Sequence, residues 1–283
     1  FKQKTAYEML RSLVGSEMCI RDSSGTDGDD SNLVGCDGDE YTSVVFPEYV
    51  WYDPQDTNAD GNSYETIGAQ EWTVENACHK TYSDGTPIPE VTDFLEWANL
   101  TTGAWCYFDN DPSKGVLYNW YAIEGIHDTD PNTPNKSFAP DGWHVPSHSE
   151  WLRLEIYLVN NGYNFDGTTN TYGQFCSNNS SGNWACNKIS KAIASTTGWF
   201  ESDTFGNTGW SQVSNNSSGF NAFPVGRRNS SGFYSEGVNT GFWTSTSVIG
   251  QQSEYIRNRS CLLYTSDAAD DLLCVDLGGR RII

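Results

Sequence analysis

Positive charge is what this chain has least of. Sixteen Lys and Arg stand against 37 Asp and Glu, for a formal net charge of −21. Nucleic acid demands a basic surface, so the balance excludes it as a partner class. Anionic lipid is disfavoured for the same reason. Histidine is scarce too, with four in all. No apolar run reaches the length needed to span a bilayer. Neither Cys-x-x-Cys nor Gly-x-Ser-x-Gly occurs, and His79 is the only His near a Cys. A structural zinc site and a serine-hydrolase elbow therefore lack their usual signatures.

What is abundant points elsewhere. The chain carries 11 Trp, 15 Tyr and 27 Gly, with many Asn, Ser and Thr. That mixture suits a loop-rich extracellular domain, kept soluble by its acidity. The length supports one good core with a short extra segment.

The chain is organised around Gly142-Trp143-His144-Val145-Pro146-Ser147-His148-Ser149-Glu150-Trp151. Ser147 stands three residues before Glu150, the spacing of a capping box. Trp151, Leu154 and Leu158 follow at helical spacing, joined by Tyr157. The pattern predicts a helix from Ser147 to Val159, packed on the core, with Trp143 and Val145 on the strand entering it.

Residues 24–62 read as an acidic Asp/Gly-rich linker with a little strand near Ser43 to Trp51. Within it, Asp56, Asn58 and Asp60 match the first half of a calcium loop, and Gly61 supplies the sharp turn. The twelfth position is Ile67 instead of Glu, so a plain acidic turn is preferred over calcium binding. No other cofactor is expected. From about residue 63 the texture is that of a folded domain, running to residue 260. Two short strands are expected over Tyr64–Val74, a short helix over Thr92–Leu100 and a strand over Trp105–Phe108. An aromatic core segment follows over Gly115–Ile123, and a small helix over Lys188–Ser195. Further strands are expected over Phe220–Val225, Gly241–Val248 and from Glu254, with a hairpin over Arg227–Ser235. Short antiparallel strands, few helices and long loops make the fold class α+β.

Residues 1–23 and 261–283 resemble the translation of a sequencing adapter, a peptide that recurs at the ends of unrelated metagenomic reading frames. The fold expectation therefore rests on the residues between them. A helix over Ala6–Val14 is the alternative for the first stretch. Native termini, and with them any signal peptide or anchor, stay open. Five cysteines lie outside these stretches. Cys176 and Cys186 bracket an Asn/Ser-rich loop and form one plausible disulfide; Cys78 and Cys106 form the next. Such bonds imply an oxidising compartment.

Several stretches stand out in order: Ile67-Gly68-Ala69-Gln70-Glu71-Trp72, Tyr82-Ser83-Asp84-Gly85-Thr86-Pro87, Leu117-Tyr118-Asn119-Trp120-Tyr121 and Gly142-Trp143-His144-Val145-Pro146. Gly219 to Arg228 and Phe242-Trp243-Thr244-Ser245-Thr246 complete the set. Together they resemble the Fibrobacter succinogenes major paralogous domain. The resemblance implies a secreted bacterial protein with a C-type-lectin-like fold, related to that of formylglycine-generating enzymes. It imports no activity. Family members carry Cys-Pro where this chain has Ala139-Pro140, which puts the role of Cys106 in doubt. The family's closing strand is replaced after Ser260, so the fold is expected to lack its last strand.

Two functions follow as expectations. The first is a non-enzymatic, secreted or cell-surface binding or adhesion module for a glycan or a surface protein. Trp184, Trp199, Trp210, Phe233 and Tyr234 lie in or beside polar loops, where rings can stack on sugars. The alternative for these rings is that they cap the core. The sugar-calcium tripeptides of true C-type lectins are missing. The second is an enzyme on the formylglycine-generating scaffold, using His144 or His148. No cysteine lies between Cys186 and Ser260, so the copper-binding pair of that oxidase is absent there. A structural spacer in a longer surface protein is a third reading.

Overall fold

The computed structural model describes residues 14–15, 19–22, 43–52, 64–67, 69–169, 188–229, 231–246 and 257–260. In chain order these form β1 (Val14–Gly15), β2 (Ile20–Asp22), β3 (Ser43–Phe46), β4 (Tyr49–Tyr52), β5 (Tyr64–Ile67) and β6 (Gln70–Thr73). Next come α1 (Phe94–Ala98), β7 (Trp105–Tyr107), β8 (Val116–Asn119), α2 (Trp120–Ile123), α3 (His148–Asn160) and α4 (Ser190–Ile193). The remaining strands are β9 (Arg227–Asn229), β10 (Gly232–Tyr234), β11 (Asn239–Phe242) and β12 (Arg257–Ser260). All named strand pairs are antiparallel. The class is α+β.

A five-stranded sheet runs β10-β9-β1-β8-β7, and a three-stranded sheet runs β2-β6-β3. β4–β5 and β11–β12 are separate two-stranded pairs. The two strands expected over Tyr64–Val74 exist as β5 and β6, but they do not pair with each other.

α3 is the packing centre. Ser147 Oγ accepts the Glu150 N–H at 3.3 Å, and Glu150 Oε2 accepts the Ser147 N–H at 2.6 Å, so the capping box is complete. The buried residues Trp151, Leu154, Leu158 and Val159 face Trp72 of β6, Ile20 of β2 and Phe220. Trp151 lies 4.6 Å from Trp72 and 5.3 Å from Phe242 between ring centroids. A second core gathers Tyr82, Trp105, Tyr118, Trp120 and Trp243 on the other side of the organising stretch. Asn119 joins sheet to helix there, because its side chain caps α2 at Ala122 and also accepts from the N–H of Ala104.

The N-terminal stretch set aside on sequence grounds is built into this core. Ile20 has no exposed surface, and its backbone exchanges hydrogen bonds with His144 at 3.0 and 2.9 Å. Val14 pairs with Asn119 on one side and Arg228 on the other. Val14 is thus strand; the rest of the alternative helix over Ala6–Val14 lies outside the described residues.

Two strand expectations need correction. Phe220–Val225 is irregular except for a bridge between Ala222 and Ala194. Asn221 takes a left-handed φ of 61°, and Pro224 has no N–H to give a ladder. The strand expected over Gly241–Val248 is β11, which starts at Asn239 and ends at Phe242. Beyond it Trp243 turns inward, its indole N–H donating to the Tyr118 carbonyl, and the Ser245 N–H goes to Pro146.

Candidate functional site

A cleft of about 950 Å³ opens beside the second core. One wall is the segment from Val74 to Ser83, which leaves β6 and turns at Asp84-Gly85. Tyr107 at the end of β7 and Lys114 before β8 form the floor. Phe138, Asp141, Asn221 and Phe223 close the remaining side. Phe223 is 42% exposed and Tyr107 is half-buried, so both rings reach solvent. The size lies at the upper end of the usual range for ligand pockets.

The cleft is more basic than the chain as a whole. Lys80 is exposed, with its ammonium 4.8 Å from the Trp105 ring centroid and 5.2 Å from that of Tyr107. Its Nζ donates to Tyr107 Oη at 2.9 Å. Lys114 lies over Phe108 and donates to Glu236 Oε2 at 2.9 Å, a contact that holds its ammonium above the ordinary lysine range. Glu75 and Asp141 add two carboxylates to the lining. His79 is on the same wall, but burial pushes its imidazole down to about 4.

A second ionisable pair sits elsewhere. His144 Nε2 is 2.8 Å from Glu150 Oε1. Burial alone would raise the Glu150 pKa; the bonds from His144 and Ser147 outweigh it and bring the carboxyl down to about 2. Neither residue lines the cleft.

Two further cations are structural. Arg228 is fully buried on β9, with its guanidinium 4.2 Å from the Trp97 ring and 5.0 Å from the rings of Phe94 and Phe233. It donates to the carbonyls of Val91, Thr92 and Asp93, so it ties the start of α1 to the sheet. Just before β9, Gly226 lets the chain lie close against the backbone of Tyr234 and Glu236. Its φ is 68°, and an added Cβ would sit 2.6 Å from both Glu236 N and Tyr234 O. Lys191, buried on α4, donates at 2.6 Å to both Trp210 O and Asn215 Oδ1, and so shapes the loop after Trp199. Burial lowers its pKa.

The model of the Fibrobacter succinogenes major domain matches residues 66–266, a span holding α3, the cleft and the Gly226-Arg227-Arg228 stretch that leads into β9. This chain belongs to that family. No curated protein and no solved structure matches it. The family match starts three residues inside the domain expected from residue 63, and it continues past Ser260 into the adapter-like stretch.

Within this major domain, the predicted site residues do not converge. Trp199 is core: it is 4% exposed, and its indole N–H donates to Ser195 Oγ. It offers no stacking platform, which corrects the expectation of an exposed ring. Trp210 is half-buried against Phe205, at 4.8 Å between centroids. Phe233 packs on Phe108, Phe94 and Arg228, and Tyr234 beside it is half-buried. None of these four lines the cleft. Trp184, the candidate calcium ligands Asp56, Asn58 and Asp60, and the Cys176–Cys186 pair lie outside the described residues. The described residues contain no group of three or more His, Cys, Asp or Glu able to hold a metal.

The Cys78–Cys106 pairing is wrong. Cys106 is a buried free thiol, and burial pushes it up to about 11 despite the nearby Arg228. Cys78 is disulfide-bonded, but to no cysteine among the described residues, since neither Cys19 nor Cys106 is in a disulfide. Sequence reasoning passed over Lys80, Lys114 and Arg228. The signal available was rarity: in so acidic a chain each Lys is a candidate for a specific task.

Proposed function

We propose that this major domain is a secreted or cell-surface bacterial binding module, non-enzymatic, which takes a saccharide into the cleft between Lys80, Tyr107 and Phe223. The carrying observation is the cleft lining. It offers two accessible aromatic rings beside lysine, amide and carboxylate groups, a combination suited to stacking on a sugar face while bonding its hydroxyls. The only His on the wall is held neutral by burial, and the His144–Glu150 pair is serving as a helix cap away from the cleft. For acid–base chemistry the cleft therefore offers no titrating histidine, only the carboxylates of Glu75 and Asp141. No described helix is long and apolar enough to cross a membrane. Short antiparallel strands around the capped helix α3, with long loops, support a C-type-lectin-like arrangement.

The test is a screen of the whole chain against immobilised glycans and bacterial cell-wall polysaccharides, with Tyr107→Ala and Phe223→Ala as controls. Saturable binding that weakens by ~10-fold in either variant is the expected result, since a base- or sugar-stacking ring contributes about 1–3 kcal/mol. A folded protein that binds no saccharide would refute this reading and leave adhesion to a surface protein as the better account.

A further inference from the structure

The charge of Lys80 narrows the ligand. Five lysines fall among the described residues. Lys114 is paired with Glu236, Lys136 with Asp84 and Lys188 with Asp166, while Lys191 is buried on carbonyl oxygens. Lys80 alone of the five is exposed with no carboxylate partner. In a chain with 37 Asp and Glu against 16 Lys and Arg, an unpaired exposed ammonium is against the odds. It is also held in place. The Trp105 ring and the Tyr107 hydroxyl fix it at the cleft lining, and the ammonium keeps N–H donors to spare for a ligand. An ammonium so placed selects an anion, and a carboxylate is its natural charge-assisted partner.

Resting on the saccharide reading above, we infer that the cleft binds a carboxylated sugar, a hexuronate unit of an acidic oligosaccharide, with its carboxylate on Lys80. The sugar ring then lies against Tyr107 or Phe223. Glu75, Asp141 and Asn221 accept from, or donate to, its hydroxyls. The acidic surroundings supply discrimination. A polyanion without hydroxyl donors would bring like charge against the carboxylates of Glu75 and Asp141, which disfavours acidic peptides.

The experiment is calorimetric titration of the full chain with tri-galacturonate, its methyl ester and a neutral trisaccharide, repeated on Lys80→Met. Lys80 is exposed, so the variant keeps its fold, and its thermal midpoint checks this. The expected result is that esterification weakens binding to the wild type by ~10-fold or more, a charge-assisted hydrogen bond being about 1.5–3 kcal/mol. Lys80→Met loses the same factor for the acid and becomes indifferent to esterification. Equal binding of acid and ester by the wild type, lost in Tyr107→Ala, overturns the carboxylate assignment and leaves the saccharide reading standing. Preference for poly-glutamate over the uronate also overturns it. No saccharide binding at all sinks both.

Discussion

Single side chains set the response of this domain to acid. Glu150 has its folded pKa depressed to about 2 from an ordinary 4.5. Its contribution is therefore fully present above pH 4.5 and is lost as pH falls through about 2. His79 acts in a higher window. Its folded pKa is about 4 against 6.5, so the unfolded chain takes up the proton first as pH falls. Stability is full above pH 6.5 and declines between 6.5 and 4, by about 2–3 kcal/mol at the lower end. Urea midpoints measured from pH 7.5 to 4 should show that slope, and His79→Phe should flatten it. An unchanged slope in the variant would remove His79 as its cause. Glu150→Gln tests the cap at pH 7, with an expected loss of about 1–2 kcal/mol. Arg228→Met removes the guanidinium from three carbonyls and three rings; an expected loss of about 1.5–3 kcal/mol follows from losing the charge-assisted bond to the buried Val91 carbonyl. Arg228→Lys should restore little of it, because an ammonium cannot span the same carbonyl fork.

At the scale of elements, α3 was legible from Ser147, Glu150 and the Trp151-Leu154-Leu158 spacing, because a cap and a buried face are local signals. The Arg227–Ser235 hairpin was legible for the same reason, through Ser230-Ser231-Gly232. Strand partners were not. Nothing local in β5 says that it pairs with β4, or in β6 that it pairs with β2 and β3. The cleft was hidden likewise, since it is assembled from segments around residues 80, 107, 114, 141 and 223 that meet only in the fold. Loop aromatics looked available because the surrounding residues are polar; Trp199 shows that a polar loop can bury its ring on a hydroxyl, here Ser195. The adapter-like stretch carries the sharpest test at this scale. Ile20→Ala should cost about 2–5 kcal/mol, read as a lower thermal midpoint. If it changes nothing, residues 19–22 contribute no core and the fold is carried without them.

For the molecule as a whole, charge dominates. A net charge of −21 repels itself in the compact state, so added salt should raise the thermal midpoint at pH 7. Scans in 10 and 200 mM sodium chloride would measure it, and a midpoint independent of salt would contradict self-repulsion as a significant load. The same salt must weaken uronate binding at Lys80, which gives the two effects opposite signs in one buffer series.

The five-stranded sheet has a consequence in time. β1 sits in its middle, holding Asn119 on one side and Arg228 on the other. On the ribosome, Val14 must wait until Arg228 has been made before its second neighbour exists. At typical synthesis speeds that wait is on the order of ten seconds. Until β9 is made, β1 presents an open edge to every other nascent chain in reach. The domain cannot close from its beginning forward, and a secretion route that keeps it unfolded until synthesis ends would spare it that exposure.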